Sequence, residues 1–360
     1  MMKRQQSGAV KQESYILASL KTLKKEPSPK GMKSREIVRR AIEFDDPPRI
    51  PYYFLFHPNA ADIGVAGPLE DASDSRGKRV KGETYVDKWG VTRKVTGRFW
   101  DHPIEYPLAD LRNLSRYRFP DPLKGITWIK PLVQLGHLAG KYMIGWNSIG
   151  MYETMRSLMG FEELMMAPYT QPDGLRALLG RLTEMTIQLV DAYHRLGGVD
   201  GFLTAEDWGL QTTLQMNVRT FREFYRPSYQ KIIDACHDRG MHFFWHNCGY
   251  IVDMFPDMIE MGVDVLQLDQ PRLMGHQTLI DHLGGKICLW NTVDIQWCTS
   301  EKITDKDIIQ EVAHMVRVYD VNRYGGGFIA KHYPQPWDIG LSPARQRLIY
   351  DAFMANGCRL

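Results

Sequence analysis

Short apolar runs closed by polar residues recur along the second half of the chain, and most are followed by a stretch with helical periodicity. The runs are Lys141–Trp146 ending in Asn147 and Ser148, Gly201–Thr204 ending in Glu206 and Asp207, and Met241–Trp245 ending in His246. Then come Val263–Leu268 ending in Asp269 and Gln270, Lys286–Trp290 ending in Asn291 and Asp294, and Gly327–Ala330 ending in Lys331 and His332. Runs of this length read as buried strands of a parallel sheet. Strand–helix alternation builds such a sheet through right-handed crossovers. With Ile50–Phe56 as a first strand, the pattern favours a (β/α)8 barrel over an open sheet. The polar residues at the strand ends then share one face, where barrel enzymes build their sites.

The first third is less regular. Ser34 is placed to cap a helix running to Phe44, with Ile37, Val38, Ala41 and Ile42 on its apolar face, and Pro47-Pro48 stops it. Residues 60–125 read as an elaboration on the first part of the barrel, with a hairpin near Glu83–Thr96. Residues 1–31 read as a separate extension, and 32–360 as the barrel domain. Within the extension, Ser14–Lys25 forms a basic amphipathic pattern, with Tyr15, Ile16, Leu20 and Leu23 on one side, before Glu26-Pro-Ser-Pro-Lys-Gly31 breaks it.

Composition narrows the function classes. The 360 residues are 44% apolar and 11% aromatic, which supplies a sizeable core. A net charge of +3 gives no case for nucleic acid. No apolar stretch is long enough for a membrane span, and the N-terminus lacks the pattern of a secretory signal. The cysteines, Cys236, Cys248, Cys288, Cys298 and Cys358, are few and unpatterned, so reduced thiols in the cytoplasm are expected.

Among the strand ends, His246-Asn247-Cys248-Gly249 carries the strongest chemistry. His246 and Cys248 sit two apart, so in extended backbone both point to one side. An imidazole and a thiol together suit a borderline-soft divalent metal, zinc first. Glu206 and Asp207 offer a metal ligand, a general acid, or both, with acidic first-turn residues of a helix as the structural alternative. Asp269, Gln270 and Asn291 offer hydrogen bonds to a substrate, or cap the helices that follow. Asn147 and Trp208 are further candidates for the substrate cavity. Lys331-His332-Tyr333 is a polar trio leaving a buried strand. Gly325-Gly326-Gly327 precedes that strand, so it is no phosphate loop; such a loop needs its glycines between strand and helix.

Several of these segments resemble the uroporphyrinogen decarboxylase superfamily: Met32-Lys-Ser-Arg-Glu-Ile through Ile50-Pro51, Phe119-Pro-Asp-Pro122, Asp207-Trp-Gly-Leu-Gln211, His246-Asn-Cys-Gly249, Gly262-Val-Asp-Val-Leu266 and Gly325-Gly-Gly-Phe-Ile329. The likeness runs from about residue 32 to 350. The His-x-Cys-Gly segment is similar to the corrinoid-linked, zinc-dependent methyltransferases of that superfamily. The resemblance implies a (β/α)8 barrel and zinc held by His246, Cys248 and a further ligand. It also implies a small methylated substrate and a corrinoid (cobalamin) carried on a separate partner protein; a homodimer is left open. Two departures steer the reading. An Arg-rich segment that holds substrate carboxylates in the decarboxylases is replaced by Tyr52-Tyr-Phe-Leu-Phe-His57-Pro58. Tyr333 falls where the thiol methyltransferases of the family have a second cysteine, leaving Glu206, His332 or Cys298 as substitute ligands. The expected activity is methyl transfer from a small methylated substrate, with an aryl methyl ether as a candidate and Asp207, His332 or Tyr333 protonating the leaving oxygen. The alternatives are methyl transfer to a thiol, decarboxylation with Arg98, Arg272 and Lys331 as the carboxylate clamp, and corrinoid or tetrapyrrole binding without turnover.

Overall fold

The apolar runs become eight parallel strands around one interior. The computed structural model describes residues 31–54, 61–67, 80–96, 101–319, 321–334 and 336–357. The amphipathic segment Ser14–Lys25, the His57-Pro58 segment, Arg98 and Cys358 lie outside the described residues. The barrel strands are β1 (Tyr52–Tyr53), β2 (Ile63–Ala66), β6 (Tyr142–Trp146), β7 (Gly201–Glu206), β8 (His242–Asn247), β9 (Val265–Leu268), β10 (Cys288–Asn291) and β11 (Phe328–Lys331). They pair in the order β1-β11-β10-β9-β8-β7-β6-β2, every ladder parallel. This is a (β/α)8 barrel.

Helices cover the outside: α1 (Ser34–Ile42), α2 (Lys130–Leu138), α3 (Met151–Met159), α4 (Phe161–Thr170), α5 (Pro172–Leu196), α6 (Arg226–His237), α7 (Phe255–Met261), α8 (His276–Leu283), α9 (Asp305–Tyr319) and α10 (Pro343–Asn356). From β6 onward each strand feeds at least one of them, as the alternation of the sequence requires. No helix among the described residues is long and apolar enough to cross a membrane.

Side-chain alternation divides two cores. Tyr53, Ile63, Tyr142, Ile144, Leu203, Phe244, Val265, Trp290 and Ile329 fill the barrel interior, joined by Val38 and Ile42 of α1. The residues between them on the strands, such as Phe202, Phe243, Leu266 and Phe328, pack outward against the helices. At the start of β11, Gly327 N–H donates to Ala41 O (2.7 Å), and a Cβ on Gly326 or Gly327 would run into Ala41 O or the Phe44 ring. The three glycines therefore let the end of α1 sit against the barrel.

Three expectations change. Ser34 does not cap α1: Lys33 holds the cap position without a side-chain bond, and Ser34 is buried with its side chain on Asp62. Ile63–Ala66, read as part of an elaboration, is itself a barrel strand. The hairpin over Glu83–Thr96 forms as β3 (Thr84–Val86) and β4 (Thr92–Lys94), and gains a third antiparallel strand, β5 (His102–Glu105).

Candidate metal and active site

The site begins with register. Ala205 of β7 pairs with His246 of β8, and Glu206 with Asn247. Leu203 and Phe244 face the interior. The same parity carries Asp207, His246 and Cys248 to the interior side of the barrel's C-terminal end. Their ligand atoms all lie within 4.8 Å of one another. His246 Nε2 is 3.5 Å from Cys248 Sγ and 3.8 Å from Asp207 Oδ1.

Backbone contacts lock the two loops together. Cys248 N–H donates to Glu206 O (3.3 Å), Gly209 N–H to Cys248 O (3.1 Å), and Tyr250 N–H to Leu210 O (2.7 Å). Gly249 has φ of 81°, and a Cβ there would meet the backbone of Gly209. Gly249 N–H donates to Gln270 Oε1 (3.0 Å), so Gln270 supports the loop.

Behind His246 lies a polar network. His246 Nδ1 is 2.5 Å from Gln267 Oε1, Gln267 Nε2 donates to Asp269 Oδ1 (2.9 Å), and Lys331 Nζ donates to the same oxygen (2.8 Å). Lys331 also lies over the Trp290 ring, 5.6 Å from its centroid. Burial works to raise the Asp269 pKa, but the Lys331 ammonium and the other polar groups around the carboxyl together outweigh it and hold it below its ordinary value. Burial pushes the Cys248 thiol far up, and the carboxylates of Asp207 and Asp269 push the same way. Burial also raises Tyr333, with Asp269, Cys248 and Asp207 adding to it, so its hydroxyl keeps its proton close to the cluster.

The donor set fits a zinc-like cation. It offers one nitrogen, one sulfur and one carboxylate oxygen, and three protein ligands with a fourth position for substrate is the pattern of catalytic zinc. The buried thiol beside two carboxylates is a group whose ionisation a divalent cation would favour.

The other sequence candidates lie at the same end of the barrel but face outward. Glu206 is fully buried; its Oε1 accepts from Met151 N–H (2.6 Å) and Tyr229 O–H (2.8 Å), and its Oε2 from Glu153 N–H (3.1 Å). It holds the N-terminus of α3 and is absent from the metal-donor group, contrary to the expectation of a ligand there. Burial raises its pKa to about 8. Asn147 bonds Ile149 O (2.7 Å) and Thr204 Oγ1 (3.1 Å), closing its own loop. Trp208 is buried against Tyr152 of α3, ring centroids 4.4 Å apart. Asn291 donates to Tyr319 O–H in α9 (3.0 Å). His332 is buried between the rings of Tyr53 and Phe54. Cys298 is buried in the short helix Ile295–Cys298 and is likewise absent from the donor group. Asp207, expected as an acid, instead completes the group of three side chains whose donor atoms could hold a metal.

Gln267 is hidden in the sequence inside the apolar run Val263–Leu268. The signal was present: a lone amide inside a buried strand needs partners on both its atoms.

The fold and this cluster define a (β/α)8 barrel with a metal-type donor set at its C-terminal mouth. The family description "Uroporphyrinogen decarboxylase (URO-D)" matches residues 103–331, and the chain belongs to that family. Among solved structures, a methyltransferase from Methanosarcina mazei aligns with a TM-score of 0.52 at 17% identity, covering 74% of this chain and 77% of that one. An endo-beta-1,4-xylanase from Gloeophyllum trabeum aligns at TM-score 0.41 and 10% identity, covering 64% of this chain and 80% of that one. Old Yellow Enzyme from Pichia sp. AKU4542 aligns at TM-score 0.38 and 11% identity, covering 66% and 74%. At 17% identity the likeness to the methyltransferase is one of fold. No curated protein sequence matches the chain.

Proposed function

We propose that this chain is a methyltransferase that moves a methyl group between a small methylated substrate and a corrinoid carried by a partner protein. The observation that carries the reading is the Asp207–His246–Cys248 group at the barrel mouth. Zinc held by these three residues would supply a Lewis acid to the heteroatom that bears the methyl group. Asp207 and Cys248 close the ligand set from the β7 and β8 loops, and His246 contributes Nε2. Tyr333 Oη, kept protonated by burial and by the carboxylates around it, would donate a hydrogen bond to the leaving oxygen, whose developing charge the zinc would carry. Asp269 and Lys331 form a buried ion pair beside the cluster and present polar atoms to the substrate end of the barrel. A carboxylate in place of a second thiolate leaves the ligand charge unchanged but is the harder, weaker electron donor, which favours polarising an ether oxygen over activating a bound thiol. An aryl methyl ether is therefore the substrate class of choice.

Decarboxylation needs a basic clamp, and the described candidates are committed elsewhere. Arg272 donates to Glu311 (2.7 Å) and stacks on Trp297 at 4.6 Å, while Lys331 is paired with Asp269.

The test mixes the protein with a reduced corrinoid protein and a panel of methoxylated aromatics, following methylcobalt by absorbance. Transfer by the wild type that is lost in His246→Ala supports the reading. Demethylation of methylcobalamin by coenzyme thiols alone reverses the direction, and release of carbon dioxide from a carboxylated substrate overturns methyl transfer.

A further inference from the structure

The network behind His246 is directional. Asp269 is ion-paired with Lys331 and can only accept, so it must receive the amide nitrogen of Gln267, which stands 2.9 Å away. The Gln267 oxygen is then turned to His246 Nδ1 at 2.5 Å. An oxygen there requires Nδ1 to carry the proton, which leaves the Nε2 lone pair directed at Cys248 and Asp207. The links span four consecutive strands of the barrel: His246 and Gln267 are cross-strand partners in the β8–β9 ladder, and Lys331 of β11 reaches across Trp290 of β10. All of Gln267, Asp269 and Lys331 are at least 95% buried, so water does not compete for these bonds.

We infer that Lys331, Asp269 and Gln267 form a positioning relay that fixes His246 in its Nδ1–H tautomer before any metal arrives. The inference rests on His246 being the nitrogen ligand of the proposed function. The relay explains why a charged pair is buried beside the site. Lys331 keeps Asp269 ionised, Asp269 orients the amide, and the amide sets which imidazole nitrogen is free. Partners of this kind behind a metal-binding histidine change affinity about 10–100-fold when removed.

The experiment uses the full-length chain, stripped of metal by chelation and labelled with nitrogen-15 at histidine. Nuclear magnetic resonance then reads the tautomer of His246, assigned by its loss in His246→Ala. The wild type should show Nδ1–H. Gln267→Leu should show Nε2–H, the form free imidazole favours in water, with zinc affinity lowered about 10–100-fold in a chelator competition. Asp269→Asn, which does not touch His246, should divide the population between the two forms. An Nε2–H wild type overturns the relay, as does a folded Gln267→Leu with unchanged tautomer and zinc affinity. Should Gln267→Leu fail to fold, the wild-type and Asp269→Asn spectra decide. A wild type that shows Nδ1–H but takes up no zinc supports the relay and overturns the ligand role instead.

Discussion

Glu206 and Asp207 are neighbours in sequence with opposite duties, because one residue along a strand reverses the face. Glu206 points outward onto Met151 N–H and Glu153 N–H at the start of α3, whereas Asp207 points inward to His246. The two single variants should separate cleanly. Asp207→Ala should lower zinc affinity by about tenfold or more, a direct ligand counting for at least as much as an outer partner. Glu206→Gln should keep its metal and instead lose about 0.5–2 kcal/mol of stability, the range for weakening a helix cap. Metal content together with a denaturation midpoint checks both; loss of metal from Glu206→Gln alone would return Glu206 to the ligand set. The pair of acidic residues was legible in the sequence as a strand-end feature. Which of them faced inward was not, because the apolar run ends at Thr204 and does not show that β7 continues to Glu206.

At the scale of elements, the site depends on the loops after β7 and β8 touching along their backbones. Gly209 and Gly249 make that approach, with Gly249 in left-handed backbone. Gly249→Ala places a Cβ in the Gly209 backbone and adds about 1–3 kcal/mol of conformational strain. It should lower the unfolding midpoint and weaken zinc uptake together, since Asp207 and Cys248 would part; a variant with wild-type metal affinity would show that the approach is not needed. The sequence placed Gly249 just past a strand end but did not show its partner, since contact between two loops is set by strand register. Strands β6 to β11 were readable because each is a compact apolar run with polar closure. Strand β2 was not: Ile63-Gly-Val-Ala66 is short and glycine-containing, and only pairing with β6 makes it a strand.

For the whole molecule, the barrel joins its first two strands without a regular ladder. Asp62, at the entrance to β2, accepts two bonds from Arg49 (2.6 and 2.7 Å) and one from Tyr52 N–H (2.8 Å), while its own N–H donates to Tyr52 O (2.7 Å). Burial opposes the charge on Asp62, but Arg49, with the bonds from Ser34 and Tyr52 N–H, outweighs it and leaves the pKa below its ordinary value. With the folded pKa lowered, the stabilisation is full above the unfolded value and is lost as pH falls through the folded one. Asp62→Ala, which takes the paired carboxylate away from the buried Arg49 guanidinium, should cost about 3–5 kcal/mol at neutral pH. The acid limb of the wild-type stability curve should flatten in the variant; an unchanged midpoint would mean that closure rests on other contacts.

That Asp207, His246 and Cys248 hold a catalytic zinc at the mouth of this barrel is tested most directly by zinc-edge X-ray absorption on the purified chain. The predicted result is stoichiometric zinc with one sulfur at about 2.3 Å and nitrogen or oxygen neighbours at about 2.0–2.2 Å. Zinc without sulfur among its nearest neighbours, or no zinc after loading, would contradict it.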